Sequence, residues 1–211
     1  MKMETPGRSS WGKAALGISL GAVLLGGCNI IPDAQTDPTR FFVLSMPGVV
    51  NVAVARPPIV HLRPVELASY IKSKPMIVRK STNEIEFHEY ARWGEPLELG
   101  ISRVLREDLL ARGAVSDVLA SGIRAVEINY DYELTVRVLA CEGGTHGETY
   151  FRAIWNLATA GLTPMVVAQD DFSASDLKWD GKNEASLASA LSQAVAELSG
   201  DIARAIAKAR N

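Results

Sequence analysis

The chain has 211 residues and nearly balanced charge, with 22 lysine and arginine residues against 24 aspartate and glutamate residues. Neither sign forms a run along the sequence. Nucleic acids and anionic membrane surfaces recruit clustered lysine and arginine side chains. The composition therefore excludes a basic nucleic-acid-binding protein, and we predict no nucleic-acid partner.

The first 28 residues have the layout of a secretory signal. Three basic residues precede an apolar run from Ala14 to Leu25, and Leu25-Gly26-Gly27-Cys28 follows. The run is shorter than the roughly 20 apolar residues that span a bilayer. A cysteine directly after two glycines resembles the lipobox of bacterial lipoproteins, so we predict a signal peptide over residues 1–27 and acylation of Cys28. A plain signal peptide with a chance cysteine is the alternative.

The segment behind Cys28 is polar and contains proline, and we read residues 28–40 as a lipidated tether ahead of a domain over residues 41–211. Several acyl chains on one cysteine make membrane attachment stable, whereas a single chain binds only marginally. By resemblance to proteobacterial lipoproteins, an aspartate after the cysteine retains a protein at the inner membrane. Asn29 stands there instead, which favours the periplasmic face of the outer membrane. After cleavage the formal net charge changes from −2 to −4, because three basic residues and one acidic residue are removed.

Cys141 is the second of the two cysteines in the chain. Once Cys28 is acylated, Cys141 has no intramolecular disulfide partner. It ends an apolar run, which favours a small buried thiol over a reactive or intermolecular one.

Apolar and alternating runs predict a sheet built from several strands. The clearest pattern is the alternation of apolar with polar residues along Tyr130, Tyr132, Leu134, Val136 and Val138, which is typical of a sheet with one buried face. The predicted strands are Phe41–Leu44, Ile59–Leu62, Pro75–Lys80, Glu84–Tyr90, Val115–Leu119, Val126–Ala140, Glu148–Thr159 and Met165–Phe172. The third and fourth form a hairpin, and a Gly143-Gly144 turn joins the sixth to the seventh.

Two segments have helical periodicity. The first begins near Pro96 as the first helical position, stops at Gly113, and buries the face formed by Leu97, Ile101, Val104, Leu105 and Leu109. We place Asp108 and Arg112 of this helix on its solvated side.

The second helix follows Asn183, a plausible N-cap, and repeats Leu187, Leu191, Val195, Leu198, Ile202 and Ile206 on one face. Gly200 within it predicts a close approach by another group. The polar side has too few basic residues for an interfacial membrane helix. We therefore predict a single-domain α+β fold in which an antiparallel or mixed β-sheet packs against two long α-helices.

Motifs that carry catalysis are missing from the sequence. It has neither a serine-hydrolase elbow nor a phosphate-binding or dinucleotide-binding glycine loop. Glu84, Glu86 and His88 share one face of a predicted strand and form a potential metal site. Alternating polar residues are also typical of a solvated edge strand, which is the reading we prefer. We predict no metal, no cofactor beyond the acyl lipid and no enzymatic activity.

The segment Tyr90-Ala91-Arg92-Trp93-Gly94-Glu95-Pro96-Leu97 joins a strand to a helix. Tyrosine, tryptophan and arginine dominate binding hot spots, so Tyr90, Arg92, Trp93, Glu95 and Pro96 form a candidate interface. The alternative is a structural corner in which Trp93 caps the core, Glu95 opens the helix and Arg92 pairs with Glu95.

This segment resembles the signature of the PqiC-like ABC-type transport auxiliary lipoprotein family. Other features agree, namely the aromatic strand Phe41–Leu44, Tyr70-Ile71 ahead of Lys74–Arg79, Trp155 on a late strand, and the Ala/Leu-rich terminal helix. The resemblance covers essentially the whole mature chain.

The resemblance implies a non-enzymatic subunit of an MCE-type lipid transport system that maintains envelope integrity. In that role the protein is a docking collar at the outer membrane, a ring-forming homo-oligomer that contacts an envelope-spanning MCE-domain protein. A stand-alone structural periplasmic lipoprotein is the main alternative, followed by a periplasmic lipoprotein enzyme.

Overall fold

In the part of the chain that the structure describes, nine strands of one mixed sheet and two α-helices make up the fold. The computed structural model describes residues 36–48, 51, 54, 56–120, 129–174 and 176–210. The strands are β1 (Arg40–Phe42), β2 (Ile59–Leu62), β3 (Glu66–Leu67), β4 (Pro75–Ser81), β5 (Glu84–Trp93), β6 (Asp117–Ala120), β7 (Tyr132–Gly144), β8 (Thr149–Thr159) and β9 (Val166–Ser173). The helices are α1 (Leu97–Ala111) and α2 (Glu184–Ala209), and a 3₁₀ turn covers Ser69–Lys72.

Strand β7 organises the sheet. Along one of its edges it pairs with β8 over nearly its whole length, and along the other it meets β2, β3 and β4 in succession, all in parallel. From β4 the sheet continues through antiparallel β5 to parallel β1, and from β2 it continues to parallel β6. Antiparallel β9 borders β8. The predicted α+β class with a mixed sheet and two helices is therefore confirmed, and the sheet is open.

The core lies between the sheet and the helices. Tyr132, Leu134, Val136 and Val138 of β7 are buried, as their alternation predicts. Tyr130, the first residue of the predicted pattern, precedes β7 and is half-buried. Helix α2 packs against β7, β8, β9 and α1. Burying both apolar faces is what stabilises helices of this kind in water.

Both helical predictions are confirmed in their packing. Each apolar position predicted for the two stripes is buried. Helix α1 begins at Leu97, with Pro96 as the N-cap residue, and Gly113 follows its end with a φ of 67°. At the start of α2 the Asn183 side chain accepts a 3.1 Å hydrogen bond from the backbone N–H of Ala185, which confirms the predicted cap. Within the described residues, no helix is both long and apolar enough to span a membrane.

The predicted Gly143-Gly144 turn is wrong. Strand β7 continues through both glycines, and the reversal occurs at residues 145–148, where Gly147 has a φ of 85°. The glycine at 143 serves packing, because a Cβ atom there would lie 2.9 Å from ring atoms of Trp179. The strand also starts at Tyr132 rather than at Val126, and residues 126–128 lie outside the described residues.

The placement of Asp108 and Arg112 on the solvated side of α1 is also wrong. The Asp108 side chain is completely buried and the Arg112 side chain is only 12% exposed, with Arg112 Nη2 3.9 Å from Asp108 Oδ2. Asp108 follows Val104 by four residues and Ile101 by seven, so it lies on the buried stripe.

Candidate interface at the strand–helix corner

The corner joins the end of β5 to the start of α1 and is fastened to two neighbouring segments. The backbone N–H of Trp93 donates to the carbonyl of Lys74 over 2.8 Å, and that of Gly94 donates to the carbonyl of Phe42 over 2.8 Å. Strand β1 runs parallel to this part of β5, with Phe41 opposite Arg92 and Phe42 opposite Trp93. The path of the chain from strand to helix is therefore fixed by backbone hydrogen bonds.

Trp93 lies inside the fold. Only 6% of its surface is exposed, and it belongs to the hydrophobic core with Leu97 and Ala91. A side chain buried to this extent contributes through packing.

Glu95 pairs with Arg103 and not with Arg92, which corrects the predicted pairing. Arg103 Nη2 donates to Glu95 Oε1 over 2.7 Å and to the carbonyl of Leu44 over 2.8 Å. The hydrogen bond that Arg103 donates to the Glu95 carboxylate raises the pKa of the guanidinium, a group that is charged at physiological pH in any environment. Helix α1 begins at Leu97 and Arg103 lies in its second turn, so the pair joins the corner to that turn of the helix.

Arg92 takes its partner from its own strand. Its Nε donates to the Glu89 carbonyl over 2.7 Å, and its Nη2 donates to Glu89 Oε2 over 3.1 Å. The side chains are 39% and 61% exposed. An exposed pair of this kind contributes little to stability, and its opposite charges leave the surface there without a net charge.

The exposed side of the corner carries apolar and aromatic side chains beside the Arg92–Glu89 pair. Tyr90 is 64% exposed, Phe41 on the adjacent strand β1 is 68% exposed, and Val43 just after β1 is 55% exposed. Tyr90 lies two residues before Arg92, which is opposite Phe41, so Tyr90 and Phe41 share a face of the sheet. Near Gly94 the Val43 and Phe41 side chains adjoin, at 3.3 and 3.8 Å from an ideal Cβ position. We call Phe41, Val43 and Tyr90 the β1–β5 patch.

Sequence reasoning identified Tyr90 but not Phe41 of β1 and Val43 just after β1, which complete this patch. The run Phe41–Leu44 predicted a strand without indicating which side chains are covered. The position of these residues directly after the tether could have indicated them, because an edge strand there has a neighbouring strand on one side only.

The three residues weighed as a metal site do not converge on one point. His88 Nδ1 lies 3.0 Å from Glu184 Oε1 of α2, and Glu86 pairs with Lys80. Among the described residues, no group of three or more His, Cys, Asp or Glu side chains is arranged to hold a metal ion. The lipidation residue Cys28 lies outside the described residues.

A second polar cluster was not predicted from the sequence. The buried carboxylate of Glu142 accepts a 2.5 Å hydrogen bond from Arg79 Nε. The Tyr70 hydroxyl donates to the carbonyl of Leu139 over 3.2 Å, and burial, with the Glu142 charge as the next cause, raises the pKa of Tyr70 to about 12. Next to it Cys141 is buried as predicted, and burial raises the pKa of its thiol. These shifts stabilise the neutral tyrosine and thiol, so neither group is prepared for nucleophilic chemistry.

Comparison with known proteins gives one family and a set of shared folds. The family model for the ABC-type transport auxiliary lipoprotein component matches residues 42–203. Protein XCC0632 from Xanthomonas campestris, assigned to the family model DUF330, is 18% identical, with 78% of this chain and 93% of that chain covered and a TM-score of 0.65. The crystal structure of an uncharacterised protein is 17% identical, with 79% and 97% covered and a TM-score of 0.60. At these identities the two structures show a common fold. No curated protein matches the chain.

Proposed function

The chain belongs to the ABC-type transport auxiliary lipoprotein component family, and on that premise we propose that it is a non-catalytic subunit of an MCE-type system that transports lipids across the bacterial envelope. The family assignment confirms the resemblance inferred from the Tyr90–Leu97 segment. The observation that carries the proposal is the extent of the family match, which covers nearly the whole folded part of the chain.

The anchor in this proposal is an acylated Cys28. The lipobox Leu25–Cys28 and the polar segment behind it support a lipid-anchored protein. Asn29 supports retention at the outer membrane, with the folded domain in the periplasm. In this arrangement the protein remains at the membrane while its folded domain binds other proteins.

The second part of the proposal is a docking role in which copies of this chain form a ring around an MCE-domain protein. The open sheet supports protein docking at strand β9, whose described residues pair with β8 along one edge only. Its start is apolar and exposed, with Met165, Val166 and Val167 exposed by 66%, 58% and 41%. An exposed edge strand offers unpaired backbone groups to which a strand of another chain can add.

The proposed lack of catalytic activity is supported by the contacts that the described polar groups make. Glu142 is held by Arg79 deep in the fold, and Glu95 is held by Arg103. His88 is engaged by Glu184. Each of these contacts fixes one part of the fold to another, and none combines a nucleophile with a base.

The experiment that tests the proposal is affinity purification from crosslinked envelopes. A C-terminally tagged full-length chain is solubilised in detergent, and co-purified proteins are identified by mass spectrometry. We expect an MCE-domain protein with the native chain, and its loss with Cys28→Ala, which removes the anchor but leaves the folded domain unchanged. Recovery of the acylated bait alone would favour a stand-alone structural lipoprotein and contradict the transport role.

A further inference from the structure

We propose that the β1–β5 patch, formed by Phe41, Val43 and Tyr90, lies against the lipid surface to which the chain is anchored. The occupant of the patch is therefore the interfacial region of the bilayer. The inference rests on the lipid anchor of the proposed function and adds an orientation of the folded domain on the membrane.

The length of chain ahead of the patch supports this occupant. Phe41 belongs to the first strand of the fold, and Cys28 precedes Arg40 by twelve residues. A chain of that length spans at most about 40 Å when fully extended. An acylated Cys28 lies at the bilayer, so this length sets an upper limit on the distance between β1 and the lipid. The limit is wider for each later strand, because more of the chain separates that strand from Cys28.

The chemistry of the patch suits the interfacial region. Its members combine two aromatic rings with a branched aliphatic side chain, and more than half of the surface of each is exposed. Tyrosine combines an apolar ring with a hydroxyl group that remains hydrated, a property that enriches it at membrane interfaces. A grouping of exposed apolar side chains on one face of a folded domain marks a membrane or protein contact.

The charges beside the patch do not oppose this placement. Arg92 pairs with Glu89, and Arg40 pairs with Glu184 over 3.4 Å. The neighbouring charges therefore compensate each other. Apolar burial, rather than attraction to anionic headgroups, is then the driving force, and a zwitterionic bilayer is a sufficient probe.

The experiment places an environment-sensitive fluorophore within the patch. Val43→Cys is introduced into the full-length chain, and the acylated protein is labelled with a nitrobenzoxadiazole maleimide and reconstituted in phosphatidylcholine vesicles. Cys141 is 3% exposed, and the pKa of its thiol is raised, so labelling is selective for position 43. The matched control is Val166→Cys, a valine with similar exposure on strand β9, where protein docking rather than lipid contact is proposed.

We expect the label at position 43 to lose most of its emission to a nitroxide on the lipid chains and little to aqueous Co²⁺. The label at position 166 should not respond to the lipid nitroxide. Quenching of the position-43 label by Co²⁺ would overturn the proposal, as would protection from both quenchers, which would assign the patch to a protein contact.

Mass spectrometry of the N-terminal peptide separates this inference from the function on which it rests. An unmodified Cys28 would overturn both the anchor and the orientation. An acylated Cys28 with a water-exposed label at position 43 would overturn the orientation alone and leave the anchored subunit intact.

Discussion

Arg103 joins Glu95 to the segment behind strand β1 through a single nitrogen atom. Its Nη2 lies 2.7 Å from Glu95 Oε1 and 2.8 Å from the carbonyl oxygen of Leu44, which is itself buried. One guanidinium therefore holds together the chain after β1, the corner and the second turn of α1. This contact fixes the strand–helix corner against edge strand β1, which carries Phe41, and against Val43 just after it.

We expect Arg103→Met to lower the free energy of unfolding by about 1–2 kcal/mol, because a charge-assisted hydrogen bond and a bond to a buried backbone segment are lost together. Solvent screening limits the loss, since the Arg103 and Glu95 side chains are 39% and 31% exposed. Urea unfolding monitored by circular dichroism measures the change.

The control is Arg204→Met on helix α2, where the arginine is 70% exposed and pairs with Asp201 of the preceding turn. It should change the free energy of unfolding by less than about 0.5 kcal/mol. Equal losses in the two variants would contradict a special role for the Arg103 contacts.

Trp93 and Tyr90 allow the packing and surface contributions of the corner to be separated. Trp93→Ala removes a core side chain that is 6% exposed, and we expect a loss of about 3–5 kcal/mol. Tyr90→Ala removes one that is 64% exposed, and the loss should stay within about 0.5 kcal/mol. Denaturant midpoints give both values. A large loss for Tyr90→Ala would mean that its ring packs on the fold and is not a free surface.

The buried carboxyl group of Asp108 should make the stability of the protein depend on pH. Burial raises the pKa of its carboxyl group in the folded protein, in spite of the opposing charge of Arg112. The contribution of this group to stability is therefore fully present below the ordinary aspartate pKa of about 3.9 and is lost as the pH rises through the folded value.

We expect Asp108→Asn to have a higher free energy of unfolding than the native protein at pH 7, and a difference that shrinks as the pH is lowered towards 4. Thermal or urea unfolding across this range tests it. If the stability of Asp108→Asn relative to the native protein instead falls as the pH rises from 4 to 7, the interaction of Asp108 with Arg112 outweighs the cost of burying the Asp108 charge.

A substitution on the exposed edge strand β9 should affect assembly without affecting folding. A lysine on an exposed edge strand disfavours the addition of another strand, so Val166→Lys should reduce the recovery of copies or partners from crosslinked envelopes. Its free energy of unfolding should change by less than about 0.5 kcal/mol. Leu162→Lys, in the fully exposed turn before β9, is the control and should leave recovery unchanged. Unchanged recovery with Val166→Lys would exclude this edge as the docking surface.

The sequence predicted the parts of the fold that depend on local periodicity. The apolar stripe from Leu187 to Ile206 and the alternation along β7 each specify which face is buried. Neither pattern depends on which element packs against that face. The parallel pairing of β2 with both β6 and β7 joins segments that are distant in the chain, and no local pattern encodes it.

The corner illustrates the same limit at the level of single side chains. The proximity of Arg92 and Glu95 in the sequence predicted an ion pair, yet Arg92 is equally three residues from Glu89, so distance along the sequence does not decide between the two carboxylates. The strand end turns Arg92 back to Glu89, while the helix brings Arg103 to Glu95. Tertiary geometry, not sequence distance, selects the partner.

The last prediction concerns Gly143 and Gly200, for which substitution by alanine should change the free energy of unfolding in opposite directions. A Cβ atom on Gly143 would lie 2.9 Å from Trp179 ring atoms and 3.1 Å from Leu187 Cδ2. The Trp179 ring is buried, and its Nε1 donates to the Gly144 carbonyl over 3.1 Å, so it cannot move aside freely. Gly143→Ala should therefore lower the free energy of unfolding by about 1–3 kcal/mol through overpacking.

Gly200 lies in the interior of α2, where a Cβ atom would lie 3.4 Å from the guanidinium of Arg112 and 3.6 Å from that of Arg204. The predicted close approach at Gly200 is thus made by Arg112, at an ordinary contact distance. Because glycine costs about 0.5–1 kcal/mol relative to alanine within a helix, Gly200→Ala should raise the free energy of unfolding by up to that amount. Urea unfolding of the two variants side by side measures the difference. A loss with Gly200→Ala would mean that Arg112 cannot yield, because its 2.9 Å bond to the carbonyl of Ala196 fixes the guanidinium against the helix.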